Sequence, residues 1–193
     1  MIEYIKGELI DLTPANAIVE TAGIGYSINI SLVTYSELAG RTSCKLYVYE
    51  AIRDDAFILY GFTTQEERTL FLQLISVSGV GPNTARMIMS SLSASELQEA
   101  ISTDNVAILR SVKGIGLKTA ERIIVDLRDK VTKTTIENGV TSLGVKSAVS
   151  EAVSALVMLG FQQAASQKVV EKLAKDEPAL SLEKLVKRAL QML

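Results

Sequence analysis

No histidine occurs anywhere in the chain, so the commonest general base and metal ligand is missing. One cysteine, Cys44, excludes an internal disulfide and any cysteine cluster for zinc. Its place beside Lys45 in a strand-like run fits a structural residue in a reducing cytoplasm. There is no Gly-x-x-x-x-Gly-Lys-Ser/Thr phosphate loop, so ATP hydrolysis by this chain is not expected. No apolar run nears the roughly 20 residues that span a bilayer. The opening Met1-Ile2-Glu3-Tyr4-Ile5-Lys6-Gly7 is unlike a signal peptide, so a cytoplasmic location is expected, with no membrane partner. No cofactor is implied, and bond chemistry would have to come from carboxylates.

What the chain does have is a duplication. Leu74-Ile75-Ser76-Val77-Ser78-Gly79-Val80-Gly81-Pro82-Asn83-Thr84-Ala85-Arg86 aligns with Leu109-Arg110-Ser111-Val112-Lys113-Gly114-Ile115-Gly116-Leu117-Lys118-Thr119-Ala120-Glu121. Each copy reads as a short helix, a Gly-apolar-Gly turn and a second helix, the helix-hairpin-helix pattern. Glycine accepts the backbone angles of so tight a turn. With no Cβ in the way, the amides of Val80 to Asn83 and of Ile115 to Lys118 can approach a phosphate where the next helix begins, at the positive end of its dipole. Pro82 suits the first helical position. Thr84 and Thr119 add hydroxyls, and Ala85 and Ala120 let the paired helices pack closely. The expected ligand is nucleic acid, held without regard to base sequence. The plainer alternative is a structural turn repeat with no ligand.

Charge is the main objection to that expectation, because the net charge is −2 and DNA-binding domains are usually basic. The acidity is local. Residues 1–62 carry −4, residues 63–130 carry 0 and residues 131–193 carry +2, with Lys113, Lys118, Arg122 and Arg128 in the duplicated region. A few phosphate contacts per chain give modest affinity, which several copies on one DNA would raise.

The expected fold class is multidomain α+β. Residues 1–63 hold five short β-branched or aromatic runs, near 2–10, 17–20, 25–31, 44–50 and 56–61, with a short helix over 34–39 after the third. That order is the five-stranded oligonucleotide-binding (OB) barrel. Residues 64–130 predict a tandem helical domain with helices over 65–76, 82–91, 94–101, 104–111 and 117–130, begun by a Thr64/Glu67 capping box and by N-caps at Ser93 and Thr103. Residues 131–145 are rich in Thr, Ser, Asn and Gly and read as a flexible linker. Residues 146–193 predict three amphipathic helices, over 147–159, 162–175 and 181–192, with Gly160 ending the first and Pro178 in the second connection. Leu159-Gly160-Phe161 resembles the turn of ubiquitin-associated-like (UBA-like) bundles. The bundle is expected to dock a protein partner; the alternative is permanent packing on the rest of the chain.

Arg53-Asp54-Asp55-Ala56 falls between the fourth and fifth strands and predicts a solvent-facing hairpin tip. Adjacent aspartates are commonly a polar turn. A metal-binding nuclease pair is the catalytic alternative, although no third carboxylate lies near in sequence. Negative charge set within a DNA-binding surface can also repel phosphates and keep strands apart.

Taken together these segments resemble the RuvA family, the Holliday-junction-recognition subunits of bacterial branch-migration complexes. The likeness rests on Met1 to Gly7, on Ala51-Ile52-Arg53-Asp54-Asp55-Ala56 to Leu59-Tyr60-Gly61-Phe62, on Ser78 to Pro82, on Lys113 to Arg122 and on Glu151 to Phe161. It implies a homotetramer, one or two of which hold Holliday junction DNA open. It implies docking of the hexameric ATPase RuvB on the C-terminal bundle, through Leu156, Met158, Leu159, Gly160 and Phe161, with the resolvase RuvC as a further partner. Asp54 and Asp55 fall at the family's acidic pin. DNA contacts are implied for Gly79, Val80, Gly81, Asn83, Thr84, Lys113, Gly114, Ile115, Gly116, Lys118, Thr119 and Arg122, and no catalytic residue or metal is implied. Where the family often has lysine, this chain has Asn83 and Leu117, which leaves more of the task to backbone amides and Lys118.

Overall fold

Period-two alternation of apolar residues needs a surface to face, and in the N-terminal third the strands supply it by curling on themselves. The computed structural model describes residues 1–139, 145–177 and 180–193. Strands β1 (Tyr4–Thr13), β2 (Asn16–Thr21) and β3 (Ile24–Asn29) precede helix α1 (Leu32–Leu38), and β4 (Ser43–Ile52) and β5 (Phe57–Phe62) follow. They close as β1-β2-β3-β5-β4, with β4 returning to β1. All neighbours are antiparallel except β3 and β5. This is the OB barrel that the strand order predicts. The third strand ends earlier than expected because Ser31 leaves the sheet to cap α1, its hydroxyl accepting from Thr34 N–H at 3.1 Å.

Over Val48–Ala51 and Ile58–Phe62, β4 and β5 are covered on both faces, while Ser43, Ile52 and Phe57 at their ends are exposed. Leu46, Val48 and Leu59 fill the barrel with Ile5, Ala17, Val19 and Ile28. Cys44 joins that core, and burial pushes its thiol above the ordinary value, as befits a structural residue. Ala51, Tyr60 and Phe62 face a second core built with the helices. At its centre Phe71 packs against the rings of Tyr49, Tyr60 and Phe62, with centroids 5.4, 5.4 and 4.9 Å away. Residues 1–136 accordingly form one compact unit. Arg68 ties helix to barrel through Glu3, and its hydrogen bond holds the Glu3 carboxyl below its ordinary value.

The helices of this unit are α2 (Gln65–Ile75), α3 (Pro82–Ser91), α4 (Ala94–Ser102), α5 (Val106–Ser111) and α6 (Leu117–Gly139). The capping box at Thr64 forms as expected, and Glu67 Oε2 also accepts from Thr63 N–H at 2.9 Å, an arrangement worth about 1 kcal/mol. Two expectations need correcting. Thr103 does not open a helix; it closes α4, its N–H donating to Glu99 O at 2.9 Å, while Asn105 caps α5. Asp104, at φ 55, makes the reversal between them. Residues 131–139, expected in the linker, continue α6, since extending a helix adds one bond per residue fixed whereas starting one is costly. The rest of the expected linker, 140–144, and Pro178 lie outside the described residues.

The second unit holds α7 (Val145–Met158), α8 (Gln163–Asp176) and α9 (Leu182–Leu190) around Ala152, Leu156, Val170, Leu173, Leu185 and Ala189. Gly160, at φ 99, ends α7 in a Schellman turn, with Phe161 N–H on Leu156 O at 3.1 Å and Gly160 N–H on Val157 O at 3.0 Å.

Candidate nucleic-acid interface

The sequence repeat is a repeat of geometry. After α2, Val80 N–H donates to Val77 O at 3.0 Å; after α5, Ile115 N–H donates to Val112 O at 3.1 Å. Gly79 at φ 91 and Gly114 at φ 90 reverse the chain, in a region that side chains strongly disfavour. The next helix then starts at the second glycine of each pair, with Ala85 N–H on Gly81 O (2.9 Å) and Ala120 N–H on Gly116 O (3.0 Å). Ala85 and Ala120 are fully buried, as close packing of each hairpin requires.

The turn corrects part of the expected contact set. Val80 and Ile115 are only 4% and 6% exposed, and their amides are engaged within the turn. Neither can reach a phosphate through side chain or N–H. At the helix heads the amides that donate to no other described group are those of Gly81, Asn83 and Thr84 at one corner, and of Gly116, Leu117, Lys118 and Thr119 at the other. These are the orphan donors of a helix N-terminus. In the turns just before them the amides of Ser78, Gly79, Lys113 and Gly114 are likewise without an acceptor among the described residues.

Two contrasts within the first unit give those donors a meaning, although in the second unit α8 and α9 also lack a side-chain cap. Helices α1, α2, α4 and α5 are each capped by a side chain, from Ser31, Thr64, Ser93 and Asn105. α3 has no side-chain cap, its N-cap being Gly81, and α6 follows Gly116. The second contrast concerns why those caps are glycine. Gly81 sits at φ −89, open to any residue, and a Cβ on Gly81 or Gly116 would meet nothing within 4 Å. Neither backbone angle nor internal packing requires glycine there.

The side chains around the corners divide in two. Lys113 and Lys118 are exposed and enter none of the ion pairs of the described residues. Thr84 and Thr119 are half-buried, one turn in. Asn83 is exposed, and its Oδ1 accepts from the Tyr60 hydroxyl at 3.1 Å. Arg122 Nη1 donates to Ser78 O at 3.2 Å, so the second hairpin is stapled to the turn of the first. Arg128 faces Asp104 at 2.9 Å. Sequence reading missed Arg86, which anchors α3 on the barrel by donating to Ala15 O at 3.0 Å. Ser90 adds a second tie by accepting from Leu32 N–H at 3.1 Å.

Asp54 and Asp55 are exposed at the tip of the β4–β5 hairpin, closed by Arg53 N–H on Ala56 O at 2.8 Å. Among the described residues no three His, Cys, Asp or Glu side chains gather as a metal site. In the second unit Leu156 is a core residue and Phe161 is half-buried, so their side chains hold the bundle together. Met158 (88% exposed) and Leu159 (61%) face solvent with Val157 (41%), which sequence reading missed. No helix among the described residues is long and apolar enough to cross a membrane.

Three segments of the chain match known family models. Residues 1–61 match the family described as RuvA N terminal domain, residues 71–129 the SAM-like helix-hairpin-helix tandem, and residues 147–193 the RuvA C-terminal domain. The chain is similar over its whole length, and over the whole of each relative, to proteins named Holliday junction branch migration complex subunit RuvA. Identity is 55% with that of Bacteroides thetaiotaomicron, 54% with that of Bacteroides fragilis and 56% with that of Parabacteroides distasonis.

Proposed function

Because the chain belongs to the RuvA family, we propose that it is the non-catalytic, DNA-binding subunit of a Holliday junction branch-migration complex. The observation that carries this reading is the pair of helix N-termini at Gly81 and Gly116, uncapped, sterically open and repeated in one compact unit. Each presents backbone N–H groups and a positive dipole end to a phosphate. Every nucleotide carries a phosphate, so the grip is indifferent to sequence and selects by shape.

The division of labour follows the three parts. Residues 1–63 and 64–130 hold the DNA, and residues 146–193 recruit RuvB, the hexameric ATPase whose hydrolysis moves the strands. Met158 and Leu159, with Val157, are the exposed apolar residues available for that docking. RuvC acts on the same junction. A homotetramer, singly or as a facing pair, repeats the two corners around a four-armed ligand, and this multivalency offsets the modest charge of each subunit. Asp54 and Asp55 serve as a pin that repels phosphates near the crossover. The complex works in the cytoplasm.

A gel-shift titration of four-way junction against linear duplex of equal length tests this. The junction should bind at least tenfold more tightly, and equal affinity would contradict the proposal. The dependence on salt is a second readout. With Lys113 and Lys118 as the unpaired cations at the corners, the logarithmic slope should be shallow, about −2 per subunit. A much steeper slope would mean that side-chain charge, not backbone amides, dominates the grip.

A further inference from the structure

The β4–β5 hairpin carries an apolar feature that the phosphate-holding corners do not use. Ile52 and Phe57 form its last cross-strand pair, and they are 71% and 57% exposed. Paired residues on antiparallel strands share a face. By alternation that face is the one on which Val48 and Leu59 fill the barrel. The barrel-lining face therefore runs on beyond the barrel and emerges in solvent. Directly above it the chain turns, and Asp54 and Asp55 stand exposed at the tip.

We propose that Phe57, flanked by Ile52, is a seat for an unpaired nucleobase at the crossover of the bound junction; this rests on the junction-binding reading above. The charges at the tip beside the seat select its occupant. Two carboxylates repel a phosphate, whereas a base is uncharged and presents a π-face that stacks on an aromatic ring whatever its sequence. Apolar side chains that wedge into base steps are a general means of holding DNA unstacked. The placement also fits. β5 runs unbroken from Phe57 to Tyr60, about 10 Å along a strand, and the Tyr60 hydroxyl donates to Asn83 in the first turn of α3. One strand thus joins the apolar seat to the head of α3, the Phe57 and Tyr60 side chains lying on opposite faces of β5. The aspartates turn the backbone away and the ring receives what the backbone leaves behind.

The test uses the full chain and a four-way junction carrying 5-iodouracil beside the crossover. Irradiation should crosslink that base to Phe57, and the same label placed in the middle of an arm should give no crosslink there. Phe57→Leu keeps an apolar side chain and removes the ring. It should lose the crosslink and lower the unstacking of a crossover 2-aminopurine, read by fluorescence, about fivefold or more. Phe57→Tyr should restore both signals. Junction affinity should stay within about twofold throughout, because no phosphate-holding group is touched. Normal junction binding with unchanged unstacking in Phe57→Leu overturns the proposal, as does a crosslink that maps away from residue 57. A change in oligomeric state without DNA overturns it in favour of an interface between copies. Failure of the wild-type chain to bind the junction at all shows in the same titration and removes the underlying reading together with this one.

Discussion

Replacing Gly116 by aspartate should weaken junction binding about 100-fold or more, while the protein keeps its fold and its stability to within about 0.5 kcal/mol. The two halves of that expectation have separate causes. A Cβ at Gly116 meets nothing within 4 Å, so the new side chain displaces no atom of the chain. A carboxylate at the head of α6 then takes the place of the phosphate, satisfying the free amides as an ordinary cap would and repelling the DNA backbone. Gly81→Asp should act alike at the first corner. The first glycine of each pair is a different case. At φ 90, Gly114→Ala strains the backbone and should cost about 1 kcal/mol or more of stability, whatever it does to binding. Circular dichroism melts beside gel-shift titrations separate the two effects. If Gly116→Asp binds the junction like the wild type, the corners are not the grip.

Deleting residues 140–193 should leave junction affinity within about twofold and abolish branch migration driven by RuvB and ATP. The cores explain why. Those of residues 1–136 draw no residue from the tail, and the tail bundle closes on Ala152, Leu156, Val170, Leu173, Leu185 and Ala189 alone. Each unit has a core of its own, so truncation leaves the core residues of the first in the chain. Adding RuvB should stimulate strand exchange with the intact chain and not with the truncated one, in an assay that follows labelled junction arms. Loss of junction binding on truncation would instead mean that the bundle is integral to the DNA-binding unit.

Much of this was legible in the residues because the signals were redundant. The strand order rests on alternation such as Leu46 and Val48 against Tyr47 and Tyr49, with turn residues between runs. The corners show because they occur twice, and two copies of Gly-apolar-Gly ahead of a helix say more than one. What stayed hidden depends on three-dimensional competition for the same groups. The amides of Val80 and Ile115 resemble their neighbours in sequence, yet the turn consumes them through carbonyls three residues back. Thr103 and Asn105 are both good caps, and the reversal at Asp104 decides between them. Leu156 and Met158 are equally apolar, but only the first lies on the side of α7 that meets α8 and α9. Phe57 read as an ordinary strand residue, because nothing in alternation says where a barrel ends.

The central claim is that main-chain amides at two glycine corners hold phosphates, and a co-crystal with a four-way junction measures it most directly. The account predicts phosphate oxygens within about 3 Å of the Gly81 and Gly116 nitrogens, with further bonds from Asn83, Thr84, Lys118 or Thr119 N–H. A junction bound through lysine and arginine side chains, with both corners facing solvent, would contradict it.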